Sequence, residues 1–202
     1  MHPNSAFRWE DRAALRSFAE AVGFGMLFAA TPDGPRVAHI PFVFLDADRV
    51  GFHVARGNGI TKHLAGRDAL LVVNGPDGYV SPDWYELDNN QVPTWNYLAV
   101  EFEGPVSRMD TAGLVDQMDR LTATHESRLS PKPIWTRSKM DDSRFEKMIE
   151  AVQGFELRIS GWRGTAKLGQ NKTEAARLNA ARAAEASGNR ALAHLMRELP
   201  NG

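Results

Sequence analysis

The sequence predicts an antiparallel β-barrel with peripheral helices and a helical C-terminal tail. Three observations lead there. About six strand-like segments succeed one another between residues 24 and 163, most of them joined by short turns. Few helices stand between them to act as crossovers, so neighbouring strands pair antiparallel and must close on themselves to bury both edges. From residue 171 onward the chain becomes alanine-rich with helical periodicity.

The composition fits that class. With 202 residues, 43% hydrophobic and 24% charged, the chain is long enough for a sizeable core and is expected to form one domain. The barrel and its peripheral helices are expected over residues 1–170 and the tail over 171–202. A net charge of -1 gives no general attraction to nucleic acid or to a membrane surface. The absence of cysteine excludes disulfides, thiolate metal sites and cysteine nucleophiles. The first ten residues are mixed and polar, without an apolar run of signal or membrane-span length, and a cytoplasmic location is the expectation.

The elements follow in order. Glu10 to Val22 places Ala14, Leu15, Phe18 and Val22 on one stripe, a surface helix stopped by Gly23. Phe24 to Ala30 is a short apolar strand. Pro32-Asp33-Gly34-Pro35 turns it into a second strand, Arg36 to Leu45, and Asp46-Ala47-Asp48 leads to a third, Arg49 to Ala55. With Leu45 opposite Arg49, His39 and His53 share one sheet face; a bulge in the loop would separate them. Arg56-Gly57-Asn58-Gly59-Ile60-Thr61-Lys62-His63 then reads as a glycine-containing loop entering a short helix. Its backbone N–H groups, Arg56, Lys62 and the Thr61 hydroxyl suit an anion, and the alternative is an exposed basic turn. Asp68 to Asn74 lacks alternation and reads as a strand buried on both faces.

The stretch from Gly75 to Tyr97 packs aromatic residues between prolines. Pro76, Pro82 and Pro93 brace it, and Tyr79, Trp84, Tyr85, Trp95 and Tyr97 offer flat faces with polar tips, around a polar turn at Asp88-Asn89-Asn90. Such a loop suits a flat, partly polar ligand; a braced corner or subunit interface is the alternative. From Thr94 to Glu103, Leu98, Val100 and Phe102 point one way, while Trp95, Tyr97, Glu101 and Glu103 point the other. That second face carries enough aromatic area to call for a ligand or a second subunit. Gly104-Pro105 is expected to end the strand. Thr111 to Glu126 is helical, Ser143 with Glu146 marks a second helix start, and Gly154 to Arg163 is a final strand. Asn171 with Glu174 is expected to cap the tail helix, which Gly188-Asn189 separates from Arg190 to Leu199.

No nucleophile elbow, Walker A loop or paired-histidine metal motif occurs, and the six histidines are scattered. Other motifs carry a resemblance. Ala38-His39-Ile40-Pro41-Phe42, His53-Val54-Ala55-Arg56-Gly57-Asn58, Tyr79-Val80-Ser81-Pro82-Asp83-Trp84-Tyr85, Val92-Pro93-Thr94-Trp95-Asn96-Tyr97 and Lys167-Leu168-Gly169-Gln170-Asn171 resemble the FMN-binding negative transcriptional regulators of the PaiB type, within the FMN-binding split-barrel superfamily. Gly169, where serine is expected, and Gly59, where proline often stands, depart from the pattern.

The resemblance implies a homodimeric, six-stranded split barrel with FMN as cofactor at or near the subunit interface. It implies that Arg56, Lys62 and Thr61 hold the phosphate, and that His53, Asn58, Trp95 and Asn96 line the isoalloxazine or ribityl chain. Lys167, Gln170 and Asn171 would close the site from the C-terminal segment. Three functions follow: a repressor, a flavin-dependent oxidoreductase, or a haem-handling protein using histidine. The first rests on Lys172, Arg177, Arg182, Arg190 and Arg197 of the tail as a DNA contact, a series interrupted by Glu174, Glu185 and Glu198. A solvated tail packed on the barrel is the competing reading of the same residues.

Overall fold

The computed structural model describes residues 2–88 and 90–200. Asn89, in the expected polar turn, lies outside the described residues. The chain divides into two compact units, one formed by Met1–Ala19, Val73–Glu101 and Trp162–Gly202, the other by Glu20–Val72 and Phe102–Gly161.

The second unit holds the barrel. Its strands are β2 (Phe24–Thr31), β3 (Gly34–Phe44), β4 (Arg49–Ala55), the start of β5 (Arg67–Val80), the end of β6 (Thr94–Arg108) and β7 (Val152–Arg158). Hydrogen bonding runs β6-β5-β2-β3-β4-β7, and β7 pairs again with β6, so six strands close a ring. The hairpin register is the expected one: Phe44 faces Val50, Phe42 faces Phe52, and Leu45 N–H donates to Arg49 O at 2.8 Å. Because the period is two, that register sends Ile40, Phe42, Phe44, Val50, Phe52 and Val54 inward together. Phe52 stacks on Phe155 and Phe44 meets Phe102 edge-on, each pair with centroids 5.7 Å apart. These aromatics give the ring its floor and fix which way His53 must point.

The outer face of β2 and β3 is also apolar. Phe24, Met26 and Phe28 stand opposite Pro41, His39 and Val37, while Val72 and Leu70 of β5 lie beside Met26 and Phe28. Phe24, Phe28 and Val37 are exposed in the single chain. Leu70 and Val72 are half-buried for the same reason, so this part of β5 is covered on one face only. Two helices pack on the barrel. Helix α2 (Thr111–Glu126) starts on Asp110, whose carboxylate accepts from Gly113 N–H at 2.7 Å. Helix α3 (Asp142–Glu150) starts after Asp141 rather than at Ser143. Gly23, with φ of 65°, ends the preceding helix α1 (Arg12–Val22) as expected.

In the first unit, β1 (Arg8–Trp9) pairs with β8 (Gly161–Lys167), followed in order by β6 and β5. Helix α4 (Glu174–Ala186) buries Ala176, Ala180, Ala181 and Ala184, and α5 (Arg190–Arg197) buries Leu192, Ala193 and Met196. Small side chains on α4 let α5 approach closely. Thr173, not Asn171, caps α4, accepting from Ala176 N–H.

The described residues form eight strands, six of which close the ring as expected. The expected final strand breaks at Ile159-Ser160 into β7, which closes the barrel, and β8, which pairs elsewhere. The break is held by Ile159 N–H on Asp48 O at 2.7 Å and Ser160 N–H on Glu103 O at 2.9 Å. The short β1 carries too little sequence pattern to be read as a strand. Two boundaries also move. β5 continues through Gly75-Pro76 to Val80, so the aromatic stretch begins as strand and becomes a single 3-10 turn only at Pro82–Tyr85. β6 runs past Gly104-Pro105 to Arg108 because its end pairs with β7.

Gly104 is where β6 and β7 meet most closely: a Cβ there would stand 1.9 Å from Arg158 O. Gly104→Ala should therefore destabilise the protein by about 3 kcal/mol in chemical denaturation, since backbone cannot yield as a side chain can. Gly59→Ala, where nothing lies within 4 Å of the added carbon, should change stability by no more than about 0.5 kcal/mol. Equal stability for both variants would show that the ring is not closed at Gly104.

Candidate functional site

The ten residues singled out by resemblance divide evenly between the two units. His53, Arg56, Asn58, Thr61 and Lys62 belong to the barrel unit; Trp95, Asn96, Lys167, Gln170 and Asn171 belong to the other.

In the barrel unit, β4 delivers His53 and ends at Ala55, so Arg56 enters the loop directly from a paired strand. Its backbone N–H donates to Ala151 O at 2.9 Å. Arg56 Nε donates to Glu150 O at 2.8 Å and Nη1 to Gln153 Oε1 at 3.0 Å. Gln153 in turn donates to Met109 O and Gly154 O, so the guanidinium is held by a side chain that is itself held. The loop is braced from within. Asn58 N–H and Thr61 Oγ1 both donate to Ala55 O, at 2.9 and 2.8 Å, and Asn58 Oδ1 accepts from Ile60 N–H. Thr61 is buried, while Arg56, Asn58 and Lys62 are exposed. The helix entered is a 3-10 turn, Thr61–His63. Nothing lies within 4 Å of where a Cβ would stand at Gly57 or Gly59, so a ligand can reach the backbone there. Two fixed-sign cations around open backbone suit a phosphate.

His53 is half-buried, with Nδ1 3.1 Å from the Gln117 amide. The two ends of an amide are told apart by their partners. With Oε1 facing the ring, Gln117 Nε2 is a buried donor without a partner. Turning the amide satisfies that donor against an unprotonated Nδ1 and leaves an unpaired acceptor instead, the less costly orphan. That orientation predicts the His53 tautomer with its proton on Nε2, on the side away from Gln117. Gln117, a polar residue on the apolar stripe of α2, was not legible in the sequence as its partner.

The other five residues do not act as one group. Trp95 is exposed on the outer face of β6, its Nε1 donating to Asp77 Oδ1 at 2.8 Å. Asn96, its neighbour, points to the opposite face and is only 1% exposed, with Nδ2 3.6 Å from Met196 Sδ. It also opposes the effect of burial, which raises the pKa of the Tyr85 phenol. Lys167 Nζ donates to Thr94 Oγ1, lies 5.9 Å from the Phe7 ring, and is pushed by burial below the ordinary lysine pKa. Gln170 is spent on its own turn, accepting from Leu168 N–H at 2.8 Å and donating to Ala166 O. Gly169 between them has φ of 85°. The serine expected there would fit in volume, since the nearest atom to an added Cβ is 3.6 Å away, but not in backbone conformation. Asn171 is exposed. Among the described residues no group of three or more His, Asp or Glu could hold a metal ion, and no helix is long and apolar enough to cross a membrane.

A mainly antiparallel β-barrel is the architecture of the flavin-binding split barrels. A family model described as "Putative FMN-binding domain" matches residues 1–161, and the chain belongs to that family, with FMN as its cofactor. The chain is similar to the Bacillus subtilis (strain 168) protein named "Protease synthase and sporulation protein PAI 2", with 26% identity over 177 residues, covering 86% of this chain and 84% of that one. Two solved structures share the fold. One is the FAD and heme binding protein from Mycobacterium smegmatis, with 18% identity and a TM-score of 0.59 over 79% of this chain and 73% of that one. The other is the flavocytochrome Anf3 from Azotobacter vinelandii, with 19% identity and a TM-score of 0.60 over 82% and 72%.

Nitrogen-resolved NMR of the histidines should show the His53 ring protonated on Nε2 above neutral pH, and Gln117→Met should release it to a mixture of tautomers. A wild-type ring protonated on Nδ1 would mean that Gln117 Oε1 is the acceptor and that its Nε2 is orphaned.

Proposed function

We propose that this chain is a cytoplasmic, FMN-binding homodimer of the PaiB type that acts as a negative transcriptional regulator. The observation that supports this most is the similarity to the protein named for protease synthesis and sporulation, which runs through most of both chains. Arg56 and Lys62 hold the flavin phosphate, with the open backbone at Gly57 and Gly59 beside them and Thr61 bracing the loop. His53 Nε2–H and the Asn58 side chain meet the ring or ribityl chain. Trp95, Lys167 and Asn171 are assigned to the cofactor by the resemblance alone, while Asn96 and Gln170 hold their own segments in shape. Bound FMN supplies electron and hydride transfer at its ring, chemistry that no side chain here provides. The homodimer is supported by the exposed apolar row Phe24, Phe28 and Val37, which needs cover in water.

A second reading, a flavin-dependent oxidoreductase, is favoured by the fate of the tail cations. Arg177 is buried and donates to Met196 O and Arg197 O; Arg197 pairs with Glu185. Lys172 donates to Gln91 and lies over the Tyr85 ring, and Arg182 donates to Asn179. Most of the series read as a DNA contact is thus engaged within the protein. A haem reading through histidine is separated from both by the absorbance spectrum of the purified protein.

Removing a charged hydrogen-bond partner of a phosphate costs about 1.5–3 kcal/mol. Arg56→Ala should therefore weaken FMN binding by roughly one to two decades, measured by flavin fluorescence, while riboflavin binding stays nearly unchanged. Equal losses for both ligands in a folded variant would move Arg56 off the phosphate. The flavin-loaded wild type should sediment as a dimer and retard DNA in a salt-dependent way. A dimer that retards no DNA yet oxidises a nicotinamide cofactor would replace the regulator by the oxidoreductase, and a monomer would remove the subunit interface from the proposal.

A further inference from the structure

The first unit contains a cavity that no residue assigned to FMN lines. It has a volume of about 380 Å³ and is bordered by Arg8, Trp9, Glu10, Arg12, Trp162 and Arg163. It is a built feature rather than a surface dent. Trp9 pairs with Gly164 across β1 and β8, and a Cβ at Gly164 would stand 2.4 Å from both Leu15 Cδ2 and Trp9 O, so only glycine lets the strand and helix close over this ground.

The chemistry of the lining is one-sided. Arg8, Arg12 and Arg163 border it with Glu10 as the one carboxylate of the lining, and Arg163 is paired with Glu101 behind it. Arg163 is oriented by Glu101, Nε to Oε2 at 2.8 Å, and the Arg12 guanidinium lies 4.9 Å from the centroid of the Trp162 ring. Trp9 is only 4% exposed, and its indole Nε1 has no hydrogen-bond partner. Buried donors are nearly always satisfied, so a group of this kind beside a cation-rich cavity marks a missing acceptor. The start of α1 is not the source of the donors, because Asp11 Oδ1 already accepts from Ala13 and Ala14 N–H at 2.9 and 3.1 Å.

We propose that this cavity binds a small planar organic anion, an aromatic carboxylate or phosphate, separately from FMN. Its charged group pairs with Arg8 and Arg12, and its ring lies against the indoles, where the Arg12 stack already shows the surface to be suited to a flat partner. Inorganic phosphate is too small for the space, which falls within the roughly 300–1,000 Å³ of small-molecule sites. In a regulator such a site is where an effector would act; in an enzyme it is a second ligand site. The assignment depends on neither.

The test uses the full-length protein saturated with FMN, so that the flavin site is already filled, and titrates phenyl phosphate while recording the indole N–H resonances of the five tryptophans. A saturable shift confined to the resonances lost in Trp9→Phe and Trp162→Phe is expected, with a dissociation constant of about 1 mM or tighter. The Arg8→Ala/Arg12→Ala double variant should bind about tenfold more weakly; both side chains are exposed, so the fold should survive, as circular dichroism will check. Benzyl alcohol should give no such shift. The proposal is overturned if phenyl phosphate up to about 20 mM leaves these resonances unmoved, if the folded double variant binds equally well, or if inorganic phosphate binds as tightly as phenyl phosphate.

Discussion

The barrel unit depends on one constraint: β6 and β7 must come close enough to pair. Gly104 faces the Arg158 carbonyl at a distance that leaves no room for any side chain, and the pairs Val106 with Leu157 and Ser107 with Glu156 follow directly after it. Without that closure, β7 would be an edge strand, and the residues it carries would lose their frame. Gln153 is one of them. Since Gln153 and the Glu150 carbonyl orient Arg56, the position of that cation in the loop after β4 is inherited from the closing of the ring.

The same logic explains why the loop after β4 is rigid although it contains two glycines. Ala55 O accepts from both Asn58 N–H and Thr61 Oγ1, and the Asn58 side chain caps Ile60. The Asn58 and Thr61 side chains, which read as ligand groups in the sequence, also form the internal scaffold of the loop. Rigidity of this kind suits anion binding, because little ordering remains to be done when the ligand arrives.

The tail follows a different rule. Arg177 is buried because α5 ends near it, and the last carbonyls of a helix need donors that the helix cannot supply. A basic residue at that place is structural by geometry. Asn96 is similar: it is exposed by pattern on neither face alone, yet the packing of α5 puts Met196 over it and removes it from solvent. The alanine row of α4 makes that packing possible by keeping the two helices close.

Much was legible in the sequence before any packing was known. The turn at Asp46-Ala47-Asp48 and the alternation on either side determined the β3–β4 register, because a slip by one residue would have put Phe42 and Phe52 in water. Gly23 determined the end of α1, and the motifs around Arg56 and Trp95 pointed to a flavin. Other features were decided only by tertiary structure. The break at Ile159-Ser160, the strand character of Gly75 to Val80, the burial of Arg177 and the pinning of Arg56 by Gln153 all depend on partners distant in the chain. Local pattern reports what a residue prefers, whereas a hydrogen bond across roughly a hundred residues of sequence is set by which strands close the ring. That is why the sequence alone determined the cations and the register, and why only the folded chain decided which of them stay exposed and which hold the protein together.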